Sequence, residues 1–438
     1  MEFKRYSFKE LLSNIVDNRG KTCPTQEEGI PLIATNCIKN DALYAVYEKV
    51  RFVSQETYDT WFRGHPEPGD IIFVCKGSPG RIAWVQDPVP YCIAQDMVAI
   101  RADEKKIDPK FLFALLRSPK TQASILNMHV GTMIPHFKKG DFANLYFDIP
   151  IDMDHQKFAG ELYYKLCQKI EHNRQTNQTL ENMAQALFKS WFVDFDPVID
   201  NALAAGNAIP EPLQKRAEQR QALQASDDAP APLSEAIRQL FPASFVFDAE
   251  MGWIPEGWEI GCLEDMLVLQ RGFDLPKSKR TPGQFPLIVA SGQDGTHSEH
   301  KVEGPGVVTG RSGKLGEVMF VHDNFWPLNT TLWIKEYKNS NPYHAYHLLK
   351  TLGLDQYNSG SAVPTLNRNH IHNMRLLVPA KPVVSEYQKL VAGHFKKIRH
   401  NNHASETLAK LRDTLLPKLI SGQLRIPEAQ QQTEAAVA

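Results

Sequence analysis

The chain has 438 residues, too many for one hydrophobic core, so two to four domains are expected. Its composition, 42% hydrophobic and 23% charged, excludes a disordered chain, and its net charge of −1 gives no sign of a polyanionic partner. The six cysteines are widely separated and include no C-x-x-C pair, which argues against a zinc ribbon and indicates reduced thiols in a cytoplasm. The sequence shows no secretory signal and no apolar run of the roughly 18 residues that a membrane span requires.

The first part of the chain predicts a globular domain over residues 1–152. IIFVC and RIAWV, at 71–75 and 81–85, are typical of two strands around a tight loop. That loop contains Gly, Ser, Lys76 and Arg81. Glycine lets a backbone approach a ligand closely, and the cations suit phosphate oxygens or guanine edges, although a solvated hairpin tip has the same composition.

A long helix is predicted next, over 153–198. Its apolar residues recur at steps of three and four, which indicates the seam of a coiled coil. Two seam positions are polar, and buried polar residues lower stability but fix register and partner choice. The residues assigned to this seam and its end are Ile170, Asn173, Asn177, Leu180, Leu187, Trp191 and Phe192.

Residues 199–250 are predicted to be a linker. The segment is rich in Ala, Gln, Pro and Asp, and we expect it to be mobile or only locally helical. Asp194 and Asp196 precede it beside Pro197. We interpret them as a helix end or a docking corner, because no basic or nucleophilic residue that would make them a catalytic pair lies near them in the sequence.

The second half of the chain repeats the first. GTMIPHFKKGDFANLYFDIP at 131–150 aligns without gaps with GSAVPTLNRNHIHNMRLLVP at 360–379, at an offset of 229. Nearer the start of each copy, Pro-Leu-Ile recurs at an offset of 255, so the first copy has 26 additional residues between these landmarks. Residues 251–380 are therefore expected to form a second globular domain like the first, with each copy holding its own core.

Each copy has two candidate binding loops. GRSGKLG at 310–316 corresponds to the earlier loop and contains Arg311 and Lys314, but Val308 and Leu315 break the phosphate-loop pattern. The repeated Gly-x-x-x-Pro frame supplies the second loop of each copy. A shared frame with different polar side chains would suit two domains that recognise different targets. Sequence drift after a duplication is the alternative explanation, because it produces the same pattern. These side chains are His136, Lys138 and Lys139 in the first copy, and Thr365, Asn367 and Arg368 in the second.

A second long helix, over 381–426, repeats the seam at an offset of 228, and a polar tail, 427–438, follows it. Two unrelated surface helices are the alternative, but they would not be expected to share phase and polar positions. Pro417 stands where the first helix has Lys189, so the second helix is expected to end or kink earlier. The residues assigned to the second seam are Ile398, Asn401, Ser405, Leu408, Leu415 and Leu419.

The sequence contains no catalytic constellation. Fifteen histidines include close pairs such as His344 and His347, but none has cysteines or carboxylates at ligand spacing, so no metal site is predicted. The patterns G-x-S-x-G, H-E-x-x-H, Asn-Pro-Pro and Asp-Pro-Pro are absent.

Several motifs, in the same order over nearly the whole chain, resemble the specificity (S) subunits of type I restriction–modification enzymes. They are ALFKSWFVDFDPV (186–198), GWIPEGWEIGCLEDM (252–266), NTTLWI (329–334), GSAVPTLN (360–367) and LLPKLISGQLRI (415–426). The resemblance implies an α+β fold: two target-recognition domains joined by two long antiparallel coiled-coil helices in a pseudo-twofold internal repeat. It also implies that each domain reads one half of a bipartite, asymmetric double-stranded DNA target.

In that family the helices are spacers and dock two methyltransferase (M) subunits, and restriction/translocase (R) subunits join the complex. The resemblance therefore implies a non-catalytic, cytoplasmic subunit with no membrane partner and no cofactor of its own. S-adenosylmethionine, ATP and Mg²⁺ are expected on the partner subunits. The expected DNA contacts are Lys76, Arg81, His136, Lys138, Lys139, Arg311, Lys314, Thr365, Asn367 and Arg368.

Two alternatives stay open on sequence alone. The chain could be the recognition subunit of a methyltransferase-only or other phage-defence complex, or an enzyme that cuts or methylates DNA by itself. The lack of a methyltransferase Pro-Pro motif and of a nuclease-type carboxylate/Lys cluster argues against the second. Local charge is +1 over 1–150, −6 over 151–250 and 0 over 251–380, so partner chains are expected to supply part of the phosphate affinity.

Overall fold

The computed structural model describes residues 1–18, 22–128, 135–227, 231–358 and 364–429. Its contacts divide the chain into two compact units. Unit 1 is Met1–Thr176 with His400–Ala438, and unit 2 is Asn177–Arg399. Gly131 and Gly360, which open the repeated loop frame, lie outside the described residues, as does most of the predicted tail from residue 430 on.

Unit 1 contains three small sheets and several short helices. A four-stranded antiparallel sheet has the order β2-β8-β5-β6, a three-stranded sheet has the order β4-β3-β7 with β3 and β7 parallel, and β1 pairs with β9. The strands are β1 (Phe3–Ser7), β2 (Leu12–Val16), β3 (Ile30–Ile33), β4 (Arg51–Val53), β5 (Ile71–Val74), β6 (Ile82–Trp84), β7 (Cys92–Ile93), β8 (Met97–Ala102) and β9 (Tyr146–Pro150). The α-helices are α1 (Gln55–Thr60), α2 (Pro109–Arg117), α3 (Pro119–Met128) and the first part of α4 (Met153–Phe192), and 3₁₀ helices cover Phe8–Leu11, Thr35–Cys37 and Lys139–Ala143.

The core of unit 1 explains why its elements form where they do. Helix α2 begins at Pro109 because Asp108 caps it, accepting a hydrogen bond from the Phe111 N–H at 2.9 Å. The helix buries its apolar residues against the four-stranded sheet, around Phe8 and Phe73. The same core cluster includes residues from the far end of the chain, which are Leu415, Leu416, Leu419, Leu424 and Ala429.

Unit 2 repeats the three sheets described for unit 1 and adds a two-stranded antiparallel sheet, β10-β11. The order β13-β19-β16-β17 matches the four-stranded sheet, β15-β14-β18 matches the three-stranded sheet with β14 and β18 parallel, and β12 pairs with β20. The strands are β10 (Phe245–Asp248), β11 (Gly252–Pro255), β12 (Glu259–Cys262), β13 (Leu267–Arg271), β14 (Phe285–Val289), β15 (Gly292–His297), β16 (Gly306–Gly310), β17 (Val318–Val321), β18 (Trp326–Pro327), β19 (Thr331–Tyr337) and β20 (Arg375–Val378).

The helices of unit 2 include a group that precedes the repeated domain. The α-helices are the end of α4, then α5 (Asp196–Ala205), α6 (Glu211–Gln224), α7 (Glu235–Arg238), α8 (Leu263–Met266), α9 (Pro342–Thr351), α10 (Arg368–His372) and the first part of α11 (Lys381–Ile420). Short 3₁₀ helices cover Lys277–Lys279 and Leu354–Gln356. The strand matches define the internal repeat at the level of topology, and the mixed α and β content confirms the predicted fold class.

The additional residues of the first copy lie mainly between β3 and β5. Leu32 and Leu287 both open the parallel pair of their three-stranded sheets, at an offset of 255. Ile72 and Val308 hold equivalent places in the four-stranded sheets, at an offset of 236. The offset thus falls by 19 of the predicted 26 residues before β5, across the segment that contains α1.

The two long helices form an antiparallel pair. In unit 1 the His155 Nε2 donates to the Leu419 carbonyl oxygen at 2.8 Å, and the Asn173 Nδ2 donates to the Ser405 Oγ at 3.1 Å. As the residue numbers rise along α4, the numbers of the contacting residues on α11 therefore fall. In unit 2 the same order continues within that unit, where the Tyr387 hydroxyl donates to the Ala184 carbonyl oxygen at 3.0 Å. The predicted antiparallel helix pair is confirmed.

One expectation about the helix ends is wrong. Helices α4 and α11 both have 40 residues and end at Phe192 and Ile420, which are separated by the repeat offset of 228. Pro417 removes one backbone donor, yet α11 continues through it for three more residues and ends at the position equivalent to the end of α4. The Ser421 N–H still donates to the Pro417 carbonyl oxygen at 3.0 Å.

The segment predicted to be mobile or only locally helical contains three helices and is largely folded. Asp196 starts α5 and is 3% exposed, and it accepts hydrogen bonds from the Ser190 hydroxyl at 2.8 Å and from two nitrogens of Arg216 at 2.7 Å. Arg220 forms a second two-point pair with Asp200. These ion pairs join α5 to α6, and the corner expected at Asp196 is held by them. The composition of the segment, which is rich in Ala, Gln and Asp, does not predict these ion pairs, because the two partners of each pair are 20 residues apart.

Candidate nucleic-acid interface

The two candidate loops of unit 1 lie side by side. Lys76 and His136 form an antiparallel bridge, and the Gly77 N–H donates to the Pro135 carbonyl oxygen at 3.0 Å. Gly77 and Gly80 have φ angles of 84° and 88°, a conformation that disfavours other residues. Loops that are about 60 residues apart in the sequence therefore make one surface.

The two candidate loops of unit 2 are joined in the same way. Ser312 and Thr365 form the antiparallel bridge, and the Gly313 N–H donates to the Pro364 carbonyl oxygen at 3.0 Å. Gly313 and Gly316 have φ angles of 89° and 77°. The backbone thus builds one frame twice, from residues that the sequence had singled out as separate loops.

The equivalence of these bonds shows which loop positions of the two copies correspond. Because Gly77 corresponds to Gly313, Lys76 corresponds to Ser312, and Arg311 occupies the place of Cys75. Each copy has two cations in this loop, as the sequence shows, but they stand at different positions of the frame. The two loops therefore present their charges in different patterns.

In unit 1 two of the loop cations have carboxylate neighbours. The Lys76 Nζ lies 3.9 Å from an oxygen of Asp96, and the Lys139 Nζ lies 3.6 Å from an oxygen of Asp17. Lys138 is exposed at the tip of the second loop. Arg81 and His136 are half-buried.

In unit 2 the site is concave. A cavity of about 400 Å³ opens where the two loops meet, and four predicted contact residues line it together with one that the sequence reasoning missed. The Arg311 guanidinium is held by a hydrogen bond of 3.2 Å to the Asn329 carbonyl oxygen. Arg368 is exposed, and Lys314, outside the cavity, pairs with Glu317. The cavity is lined by Arg271, Arg311, Leu332, Thr365, Leu366, Asn367 and Arg368.

The Asn367 side chain stabilises its own loop by capping a helix. Its side-chain oxygen accepts a hydrogen bond from the Asn369 N–H at 3.0 Å and caps α10. The equivalent residue of unit 1 is Lys138, which begins a 3₁₀ helix and whose N–H donates to an oxygen of Asp141 at 2.9 Å. Asn367 is therefore partly committed to its own loop.

Arg271 is the residue that the sequence reasoning missed. It is the last residue of β13 and belongs to neither predicted loop, so the loop motifs gave no signal for it. Alignment of the strand registers of the two copies would have placed it beside the second loop.

The predicted seam residues lie along the helix pair. The polar layer is satisfied: the Ser405 hydroxyl donates to the Asn401 carbonyl oxygen at 2.8 Å and accepts from Asn173. In unit 2 the helices instead meet in an aromatic cluster that includes Phe188, Trp191 and Tyr387. Asn173, Trp191, Asn401, Leu415 and Leu419 are buried, whereas Ile170, Asn177, Leu180, Leu187, Phe192, Ile398, Ser405 and Leu408 are half-buried.

The histidine pair of α9 is structural. His344 is buried against Phe188 and Phe192, and its Nδ1 lies 2.9 Å from the Ser340 hydroxyl. Burial lowers the pKa of His344 to about 3 and also lowers the pKa of His347. Across the described ranges, no group of three or more His, Cys, Asp or Glu side chains is placed to hold a metal ion. Within that same part of the chain, no helix has the length and apolarity needed to cross a membrane.

Known proteins share this architecture. The family model described as the type I restriction modification DNA specificity domain matches residues 10–182. The specificity subunit of the type I restriction enzyme HindI of Haemophilus influenzae is 27% identical over 411 residues, covering 81% of this chain and 86% of that protein. The specificity subunit of the type I restriction enzyme MjaIX of Methanocaldococcus jannaschii is 24% identical over 399 residues, covering 82% and 78%.

A solved structure agrees on the fold. The S subunit of a type I restriction–modification system from M. genitalium superposes with a TM-score of 0.52 at 14% identity, over 96% of each chain. The repeated domains and the helix pair thus define an architecture that the chain shares with this solved S subunit. Residues 10–182 match the DNA specificity domain of type I restriction–modification enzymes, and most of the chain is similar to specificity subunits of such enzymes, which supports a function in DNA sequence specificity. Specificity subunits are the non-catalytic members of these enzymes, so the sequence-based interpretation is confirmed at this level.

Proposed function

We propose that the chain reads a bipartite, asymmetric DNA target, with residues 1–152 reading one half-site and residues 251–380 the other. One observation carries this proposal: each unit holds the same pair of hydrogen-bonded loops, with a different set of polar side chains on that frame. A frame fixed by backbone bonds supports side-chain changes without loss of the fold. Two such surfaces in one chain suit two unlike half-sites.

The polar residues on these loops have the chemistry of base and phosphate contacts. Arg and Lys donate to guanine N7 and O6 or to phosphate oxygens, and Asn can pair with adenine. In unit 1 the contacts we propose are Lys76, Arg81, His136, Lys138 and Lys139. In unit 2 they are Arg311, Lys314, Thr365, Asn367 and Arg368.

The helices are proposed to be the spacer and the docking surface for partners. We assign residues 153–198 and 381–426 to this role, with two M subunits bound to the helices and R subunits joining through the complex. The nearly neutral charge of both domains supports this arrangement, because DNA binding by one chain alone calls for a larger positive surface. We assign S-adenosylmethionine, ATP and Mg²⁺ to the partners and place the complex in the cytoplasm, because six cysteines without a disulfide between them in the described structure are compatible with a reducing environment.

The test is to map methylated adenines in cells with and without this chain. A split motif should be methylated only in its presence, and purified chain alone should not modify DNA when S-adenosylmethionine is added. The double variant Arg311→Ala, Arg368→Ala should change the pattern at the half-site of unit 2 only. An unchanged pattern with unchanged DNA affinity would show that these loops are wrongly assigned.

The second candidate, a methyltransferase-only or other phage-defence complex, uses the same DNA site. It differs in whether a nuclease chain joins. Affinity purification of the chain from its own cells separates the two, since an R subunit is recovered only with a restriction enzyme.

A further inference from the structure

The cavity of unit 2 gathers three arginines at one place. Arg271 reaches it from the end of β13, Arg311 from the first loop and Arg368 from the second. Leu332 and Leu366 form its apolar wall. Like charges that share a cavity repel one another, so the site gains most from a group that accepts several hydrogen bonds.

The residue that corresponds to Arg271 in unit 1 is Asp17. Val98 and Leu332 are equivalent, because they pair with Phe73 and Thr309 at the same places in the two four-stranded sheets. Arg271 pairs with Leu332. In unit 1 the register ends with Val16 opposite Ala99, so the next residue, Asp17, reaches the position opposite Val98.

The second loop gives the matching comparison. Lys139 and Arg368 are equivalent by the repeat offset of 229, and each is the first residue of a short helix. In unit 1 the Lys139 Nζ lies 3.6 Å from Asp17, which is 11% exposed in its side chain, so a carboxylate neutralises the cation. In unit 2 the same pair of positions holds two arginines.

Neighbouring carboxylates compensate little of this charge. Arg271 has one partner, Asp274 at 3.3 Å, and their side chains are 50% and 67% exposed. Exposed pairs of this kind are weak and exchange readily with other acceptors. Arg368 has no ion-pair partner in the part of the chain that the structure describes.

We propose that Arg271 is a specificity-determining residue of the second half-site, where its guanidinium takes the N7 and O6 acceptors of one guanine while Arg311 and Arg368 contact neighbouring acceptors of the DNA. The planar guanidinium fork matches that edge, which is why Arg–guanine is the commonest specific contact in the major groove. Unit 1 has Asp17 at the equivalent position, and a carboxylate cannot donate to these acceptors. The two half-sites are therefore expected to differ there. The inference rests on the proposed DNA-reading function. A backbone phosphate offers similar acceptors, and the test separates the two.

The experiment uses the full chain in complex with its methyltransferase subunit and a DNA library with each half-site randomised in turn. Arg271→Ala should weaken binding to the preferred sequence roughly 5- to 150-fold, the equivalent of about 1–3 kcal/mol, and relax one position of the second half-site. The first half-site should be unaffected. Arg271→Lys should restore affinity in part without restoring the discrimination, because Lys lacks the fork.

Arg375→Ala is the matched control. Arg375 is also 50% exposed and also pairs with a carboxylate at 3.3 Å, that of Glu250, but it does not line the cavity. If Arg271→Ala behaves like Arg375→Ala while the wild-type complex remains selective, the inference is overturned and the proposed function stands. A loss that is equal for all sequences, is rescued by Lys and lowers the salt dependence by about one ion identifies a phosphate contact and also overturns it. A wild-type complex without sequence preference overturns both.

Discussion

Units 1 and 2 build the same paired loops from backbone hydrogen bonds, yet they differ in side chains at most positions that face outward. In unit 1 two of the loop cations have a carboxylate beside them: Asp96 lies beside Lys76 and Asp17 beside Lys139. In unit 2 three arginines line one cavity. The comparison shows that one backbone frame can present two different arrangements of charged side chains.

The two units also differ in the way their cores are closed. Unit 1 uses aliphatic residues of α11, such as Leu415 and Leu419. Unit 2 uses aromatic residues of α4, such as Phe188 and Trp191. Each unit therefore buries residues from the long helix of the other copy, although each copy also has a core cluster made of its own residues alone, around Ile72 in the first and Leu332 in the second. This exchange limits how freely a domain can be replaced.

The largest effect is expected from a domain swap. Replacing residues 1–150 with the equivalent part of a relative should exchange one half of the methylated motif completely and leave the other half unchanged. The replacement must keep an apolar surface toward Leu415 and Leu419, because these residues close the core of unit 1. Methylome sequencing of cells that carry the swapped chain measures both halves of the motif. A swapped, folded chain that alters both half-sites would contradict the division of the site between the units.

Truncating the core residues contributed by the helices should destabilise each unit separately. Trp191→Ala should cost about 3–5 kcal/mol in unit 2, and Leu419→Ala about 2–5 kcal/mol in unit 1, since both side chains are 1% exposed. Hydrogen exchange resolved by residue measures the loss in each unit. Leu390→Ala, at a position 39% exposed on α11, is the control and should have little effect. Equal losses of protection in both units would contradict the separate closure of the two cores.

Acid should weaken unit 2 more than unit 1. Burial lowers the pKa of three histidines in unit 2, His344, His347 and His372, but of one in unit 1, His65. The unfolded chain protonates near pH 6.5, above the folded-state pKa, so their stabilising effect is complete above that pH and is lost as pH falls.

For His344, whose folded-state pKa is about 3, the loss approaches about 1.4 kcal/mol per pH unit between these values. Hydrogen exchange between pH 7.5 and 5, corrected for intrinsic rates, measures the effect in each unit. His344→Phe should flatten the dependence of unit 2. If the variant keeps the wild-type slope, the assignment to this histidine is wrong.

The smallest effect concerns the second loops. Asn367→Ala removes the cap of α10 and should lower the stability of that loop by about 1 kcal/mol. Lys138→Ala, at the equivalent position of unit 1, removes no side-chain cap and should be nearly neutral for stability. Local exchange rates at 368–372 and 139–143 compare the two. Equal destabilisation by both variants would show that the two loops are supported in the same way.

The sequence alone determined the features that repeat over short distances. The helix pair follows from apolar steps of three and four, and the equivalence of the two helices follows from a constant offset of 228 with polar residues at matching seam positions. The loop frames were recognisable from Gly and Pro at fixed spacing. These signals can be read from the sequence because each copy of a pattern consists of closely spaced residues, whatever the distance between the copies.

Only the tertiary structure decided which distant residues meet. It joined the loops at 76 and 136, brought Arg271 to the site of unit 2, and paired Asp196 with Arg216 in a segment whose composition predicts a linker. It also packed residues of each long helix into a core cluster with the globular part of the other copy. These contacts depend on sheet register and on the packing of complementary surfaces, which sequence spacing does not encode when the partners are tens to hundreds of residues apart.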